Sequence, residues 1–409
     1  IYIEDNSVLA LDPHPYKIAI GASFSPSAGN TSDNVSVGRQ NLQGAYTAQK
    51  LINDAGGIHG HLVYLVLAND SSSASGAQGA AQKLAGRNDI LALVGFAFSA
   101  RTKAALPYVA DHGIPEISPT ASNPNLTGSP YFFRTCPSDL QQGQAGLAYL
   151  LGTLLKGKAH PTIAVFGDPS DAYAGGLQTV IQNAATSRGA AVIREDYTIG
   201  QSDFATLAQD VTAHHADAVY FAGYAREALL LSQAMDQAGI PPSVPIMSDD
   251  GLYDPPSFIA NPTQKGRFHF TSFFFPDEHG LLRGADRQRI LAMEQAYTHN
   301  FLKAGTPPGG YGTSRVSADT ALTYDSVQTL AYAIGRLPAN GVTRQGLQRV
   351  LSGIGLNTPA FPGVTGHIRY ATPAQPLATG DPIDKAIVVM HLDTHGFSHI
   401  DRIVGRYQA

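Results

Sequence analysis

The chain is poor in the residues that most often announce chemistry. One cysteine, Cys136, stands among 409 residues, and tryptophan is absent. A single thiol excludes an intrachain disulfide and any zinc site built on cysteine spacing. Charged side chains make up only 14% of the chain and the net charge is -5. No basic tract points to nucleic acid, and no acidic run points to a disordered arm. No apolar stretch approaches the ~18 residues of a membrane-crossing helix, so no membrane-spanning segment is expected. The chain opens at Ile1, as expected of a mature or trimmed form in which any export signal is no longer visible.

Catalytic motifs are scarce too. "GTLLKGKA" (Gly152 to Ala159) nearly matches a phosphate-binding loop, but Ala159 stands where a Mg²⁺-binding hydroxyl is needed. That stretch also ends a helical pattern and precedes a strand, the reverse of the order the motif requires. There is no G-x-S-x-G elbow and no clean G-x-G-x-x-G after a strand. "GIHGH" (Gly57 to His61) reads as a surface turn, since no carboxylate or thiol stands at ligand spacing. His214-His215 closes a helix, where such residues are ordinary. The chain is therefore not expected to be an enzyme, and neither a metal nor a cofactor is implied.

What is abundant is alternation. A length of 409 residues predicts two or three domains. Apolar runs such as "KIAIG" (Lys17 to Gly21), "VYLVL" (Val63 to Leu67) and "ILALVGF" (Ile90 to Phe96) are each followed by a helical pattern. The pattern restarts with "TIAVFGD" from Thr162 and continues through "AVYFAGY" and "PIMSDDG", ending at Gly251. Strands apolar on both faces and alternating with helices predict two doubly wound α/β units with parallel sheets. Later helical patterns cover Asp286 to Lys303 and Ala318 to Leu337, and "GHIRY" and "KAIVVMHLD" suggest an antiparallel finish. "TPPGGYG" (Thr306 to Gly312) reads as a loop.

In such sheets ligands sit beyond the carboxyl ends of the strands, and clefts between domains are the other favoured place. Both rules select the loops after Phe96, Ile117, Tyr220 and Met247. Ser99 reads as the N-cap of a helix, a structural role that also offers N–H donors and partial positive charge to a carboxylate. "ISPTASNPNLT" (Ile117 to Thr127) sets Thr120 and Ser122 on the next loop. Hydroxyl, Asn and Pro residues make turns for ordinary backbone reasons. Two such loops on adjacent strand ends also make a cradle for a small anion. The second unit presents Tyr224 and the pair Asp249-Asp250, where a carboxylate suits an ammonium group. Of the two, Asp250 is expected to face the ligand and Asp249 to point elsewhere, because neighbouring side chains alternate. One end for a carboxylate and the other for an ammonium describes an α-amino acid.

Several phrases together resemble the leucine/isoleucine/valine-type periplasmic binding proteins, the solute receptors of branched-chain amino acid ABC transporters. They are "INDAGGIHG", "ISPTASNPNLT", "YFFRT", "SDFATLAQDV", "VYFAGYAREALLLSQAMDQAG" and "TYDSVQTLAYAI". The resemblance runs from about Lys17 to the C-terminal strands. It implies two Rossmann-like lobes joined by three crossover strands, the type I fold, closing on ligand by a hinge. The expected division is lobe one at 1–136 and 274–355 and lobe two at 137–273 and 356–409. The resemblance places the ligand carboxylate on Ser99 and Ser122. It places the ammonium on the Thr120 carbonyl, Tyr224 and Asp250, with Tyr173 as a cleft aromatic. Phe98, counted with them among the expected ligand-binding residues, stands where these receptors carry a half-cystine, Asp250 where the leucine-type members carry Glu, and the first loop, "SFSPSAGNTSDNVSVG", is long. The function implied is an extracytoplasmic receptor, periplasmic or lipid-anchored at the outer face of the cytoplasmic membrane. It would be monomeric and would deliver an amino acid to an ABC permease. The alternatives are a receptor for an aromatic acid or amide and the sensing domain of a signalling receptor.

Overall fold

The computed structural model describes residues 2–26, 32–253, 255–261, 263, 265–301, 316–405 and 407. Part of the long first loop (27–31), the "TPPGGYG" segment and the expected helix end at Lys303 lie outside the described residues. The chain divides into two compact units: Ile1–Pro137, Phe274–Ala386 and Gly405–Ala409 form the first, Ser138–Phe273 and Ile387–Val404 the second.

In chain order the first unit begins with α1 (Tyr2–Leu11), β1 (Tyr16–Ala22), α2 (Ser32–Asp54), β2 (Val63–Asn69), α3 (Ala74–Ala85), β3 (Ile90–Val94), α4 (Ser99–Asp111), β4 (Glu116–Ser118) and β5 (Phe132–Arg134). The second unit follows with α5 (Asp139–Tyr149), β6 (Thr162–Gly167), α6 (Ala174–Ser187), β7 (Ala191–Asp196), α7 (Ala205–Ala213), β8 (Ala218–Phe221), α8 (Ala225–Gln237), β9 (Ile246–Ser248), α9 (Pro255–Ala260) and β10 (Phe268–Ser272). The chain returns to the first unit for α10 (Gly284–Phe301), α11 (Ala318–Ile334), α12 (Arg344–Ser352), β11 (Phe361–Gly363) and β12 (Gly366–Ile368). It ends in the second with β13 (Ile387–Leu392) and β14 (Ser398–Val404), before Gly405 and Tyr407 rejoin the first.

The first sheet is parallel throughout, in the order β2-β1-β3-β4-β5. The second runs β14-β13-β10-β9-β8-β6-β7. Its strands β6 to β10 repeat the first sheet's order, and β13 and β14 add antiparallel strands at one edge. Each sheet is covered on both faces: β4 and β8 are buried along their whole length, β8 with apolar side chains throughout and β4 with the polar Glu116 and Ser118 about Ile117. Helix spacing supplies the covering layers. In α3, Ala77, Ala80, Ala81, Leu84 and Ala85 fall at i, i+3, i+4, i+7 and i+8 and are all buried. Ser73 caps that helix by accepting from the Gly76 amide at 3.0 Å. On the other face α2 lies hard against α11. A Cβ at Gly44 would stand 2.2 Å from the Thr320 carbonyl oxygen, so only glycine allows that approach.

The expected lobe boundary at 355/356 needs correction, because residues 356–386 pack with the first unit. Asp325 on α11 accepts from the Val364 and Thr365 amides at 2.9 and 2.8 Å, which latches the β11–β12 hairpin onto that helix. Tyr370 donates to the Arg134 carbonyl at 3.0 Å, and Asp381 pairs with the buried Arg134 guanidinium at 2.7 Å. Arg134 is the last residue of β5 in the first sheet. Only β13 and β14 belong to the second unit.

Two buried charges give the first unit testable pH behaviour. Glu116 on β4 is fully buried, and burial holds its carboxyl well above the usual range, opposed only by a backbone hydrogen bond with Phe96. A carboxyl raised in the folded state carries no penalty below its unfolded pKa and a growing one as pH rises above it. Glu116→Gln should therefore raise Tm at pH 7 by about 2 °C or more, and the gain should vanish near pH 4 in scanning calorimetry. Lys385 is also buried, and burial pushes it down to about 8 against the pull of Asp325. Between that value and the ordinary lysine range the unfolded chain binds more protons, so this residue makes stability rise with pH across that window. Urea unfolding at stepped pH should show the rise in wild type and its loss in Lys385→Gln.

Candidate functional site

Each unit carries its own cluster at the carboxyl ends of its parallel strands, where the sheet topology leaves loops rather than covering helices. In the first unit the cluster is built on the loops after β3 and β4. Phe98, not Ser99, is the N-cap of α4: its backbone is extended (φ -100°, ψ 137°) while Ser99 is already helical. Ser99 has therefore moved one place inside the expected position. Its hydroxyl accepts from the Asn123 amide at 3.2 Å and ties the two loops together. The amides of Ser99 and Ala100, in the first turn, have no acceptor within the helix.

The loop "ISPTASNPNLT" is braced from several sides. Ser118 donates to the Phe96 carbonyl at 2.6 Å and accepts from the Ala121 amide at 3.1 Å. Thr120 donates to the Ala97 carbonyl at 2.8 Å, so its side chain is committed to the loop and its backbone carbonyl is the group its expected role requires. Ser122 is 1% exposed. Asn123 accepts from the Asn125 amide at 2.8 Å, a local turn that its side-chain oxygen closes. Beneath lies Arg134, fully buried, donating to the carbonyls of Ala121 and Asn123 at 2.7 and 3.2 Å and to Thr127 at 2.9 Å. The structure thus brings Phe98, Ser99, Thr120 and Ser122 onto two loops held in register by Arg134 and Ser118.

In the second unit the loops after β6, β8 and β9 converge. Tyr173, 7% exposed, is the N-cap residue of α6. Its hydroxyl donates to Asp250 Oδ1 at 3.1 Å and accepts from the Gly251 amide at 3.2 Å. Burial pushes its phenol well above the ordinary range, helped by the charges of Asp250 and Asp249, so it stays a donor. Its ring lies 5.5 Å from that of Tyr224, the N-cap residue of α8. Gly251 is required here, since a Cβ would stand 2.3 Å from the Gly223 carbonyl oxygen. Asp250 is half-buried, whereas Asp249 is buried completely. Asp249 accepts from Tyr220 at 2.9 Å and Thr271 at 3.0 Å, and burial raises its carboxyl well above the usual range. The two neighbours thus occupy different surroundings: one in the core, one beside two tyrosines.

The rejected motifs have structural roles. The "GTLLKGKA" stretch begins inside the π-helical turn Leu150–Leu154 that ends α5 and leads toward β6. In "GIHGH", His59 bonds the Ile334 carbonyl at 3.2 Å and His61 lies 3.4 Å from Asp12. His214 ends α7. Among the described residues no group of three or more His, Cys, Asp or Glu is placed to hold a metal ion.

Sequence reasoning passed over Arg134, Arg101 and Tyr220. Arg134 left a signal in "YFFRT", because an arginine inside an apolar strand run must find buried acceptors. Arg101 and Tyr220 left none, since their partners come from distant loops.

The profile of the periplasmic binding proteins matches residues 17–379. An amino acid binding protein of Pseudomonas aeruginosa is 31% identical over 339 residues, 82% of this chain and 83% of that one. A Leu/Ile/Val-binding protein homologue of Brucella suis is 27% identical over 352 residues, covering 83% and 87%. The crystal structure of a leucine binding protein from Thermotoga maritima superposes with a TM-score of 0.77 at 23% identity, over 95% of this chain and 99% of that one, and so shares its fold. The two doubly wound units and the match across most of the sequence agree: this chain belongs to the periplasmic binding protein family.

Proposed function

We propose that this chain is the extracytoplasmic solute-binding component of an ABC transporter and binds a branched-chain or similar amino acid. The observation that carries the reading is Asp250, a half-buried carboxylate held by the Tyr173 hydroxyl beside the Tyr224 ring. An ammonium group would add a charge-assisted hydrogen bond there and a favourable position over an aromatic face. The opposite chemistry lies in the first unit, where the hydroxyls of Ser99 and Ser122 and the free amides of a helix start suit a carboxylate. An α-amino acid carries both groups. The relatives from Pseudomonas and Brucella bear amino-acid and Leu/Ile/Val-binding names, which support the same ligand class. Delivery to an ABC permease is part of this reading. A ligand with different affinity for different conformations shifts their populations, which is how binding is reported to a partner.

Ser99→Ala with Ser122→Ala should weaken binding of L-leucine and leave the far-UV spectrum and Tm of the ligand-free protein near wild type. Each lost hydrogen bond to a charged group is worth about 1.5–3 kcal/mol. Titration calorimetry showing wild-type affinity in the double variant would displace the carboxylate cradle. Asp250→Asn keeps the shape and removes the charge. It should cost an amino acid more than about tenfold in affinity, while an aromatic acid or neutral amide should lose little. Wild type and Asp250→Asn titrated with L-leucine, L-isoleucine and benzoate separate these ligand classes, and an unchanged amino-acid affinity would refute the ammonium site.

A further inference from the structure

We propose that Arg101 is a positioning residue for the first unit's ligand cluster: paired with Asp70 and stacked on Phe98, it holds the wall and loops of that cluster in binding geometry before ligand arrives. The proposal rests on the amino-acid reading above and adds to it a residue that is not among the groups assigned there to the ligand's charged ends.

Arg101 lies on the first turn of α4, two residues after Ser99, and is 6% exposed. Its guanidinium lies 3.2 Å from Asp70, which is fully buried at the end of β2, and also bonds the Ser23 hydroxyl just after β1. Its carbon centre stands 4.0 Å from the centroid of the Phe98 ring. One side chain therefore reaches the loops after β1, β2 and β3 together.

The loops it joins are bonded to one another. Asn69 accepts from the Phe24 amide at 3.0 Å and donates to Ser25 at 2.8 Å, and Ser72 donates to the Ser25 carbonyl at 2.8 Å. Asp70 also accepts from the Ser72 amide at 2.8 Å. Ser23 has no slack on its other side. A Cβ at Gly38 would stand 1.9 Å from the Ser23 carbonyl oxygen, so α2 packs directly on it.

A buried ion pair is a poor way to gain stability, because desolvation offsets the attraction unless the geometry is good. Its usual return is a fixed arrangement. Here the arrangement needs arginine in particular. A planar guanidinium lies flat on an aromatic ring while its edge donates sideways, which an ammonium cannot do. With one face of Phe98 covered, the ring is fixed before binding, and a ligand need not bear the entropy of ordering it.

Two variants test this. Arg101→Lys keeps the charge and loses the fork and the stack. Arg101→Met with Asp70→Asn removes both charges, so no buried carboxylate is left unpaired should Arg101→Met alone fail to fold. Two readouts apply to each. In the ligand-free protein, hydrogen exchange of the Phe24 amide should quicken about tenfold or more in both variants. In titration calorimetry, L-leucine affinity should fall about tenfold in Arg101→Lys while its ligand-free Tm stays within a few degrees of wild type. Phe98→Ala should then weaken Arg101→Lys further by less than it weakens wild type, since the two act through one contact. Unchanged Phe24 exchange in both variants, or L-leucine affinity within twofold of wild type, would overturn the proposal. If wild type binds none of L-leucine, L-isoleucine and L-valine, the amino-acid reading fails, and the exchange of Phe24 still decides whether Arg101 holds the loops.

Discussion

Asp325 is the residue on which the first unit's assembly turns. That unit is built from separate stretches of chain, and their cohesion is not given by the sheet alone. Asp325, buried on α11, accepts from two amides and the Thr365 hydroxyl of the β11–β12 hairpin. Lys385, the residue before the last one that the unit holds ahead of β13, donates to Thr365 at 2.7 Å and to the Gly366 carbonyl at 3.0 Å. Glu278, just after the chain re-enters the unit, accepts from Tyr407, just after it re-enters again. Buried charge of this kind is costly unless every member is present. The network therefore favours the complete unit over any partly assembled one, and it stands close in sequence to the places where the chain leaves and returns.

The two sheets solve one problem twice. Strands β2-β1-β3-β4-β5 and β7-β6-β8-β9-β10 share an order, so the same loops emerge at the same edge of each. What differs is the chemistry placed there. The first unit presents hydroxyls and the start of a helix, braced by Arg134 from below. The second presents a carboxylate bonded to the Tyr173 hydroxyl, with the Tyr173 and Tyr224 rings packed together. In both, the polar groups proposed to face a ligand are backed by buried polar groups: Ser118 and Arg134 in one, Asp249, Tyr220 and Thr271 in the other. Buried polar sets of this sort are stable only when satisfied, and once satisfied they fix the loops that carry them.

Much of this was legible in the residues. Apolar runs, each followed by a helical pattern, gave the alternation, because both signals act over a few residues. The placement of Tyr224 and Asp250 on loops after strands was readable for the same reason, whereas Tyr173 entered only through the family resemblance. Less legible was the affiliation of residues 356–386. Their short strands and polar turns carry little periodic signal, and the residues that hold them, Asp325, Arg134 and Phe133, are remote in sequence.

Local pattern determined the secondary structure, the α/β class and the chemical character of the loops, because hydrophobic periodicity and turn chemistry act over a few residues. Only the tertiary structure decided that Phe98 rather than Ser99 caps α4, and that Arg101 joins three loops. The alternation of neighbouring side chains separated Asp250 from Asp249 already, but only the tertiary structure buried Asp249 against Tyr220 and Thr271, since burial of a charge is settled by groups from strands far apart in the chain.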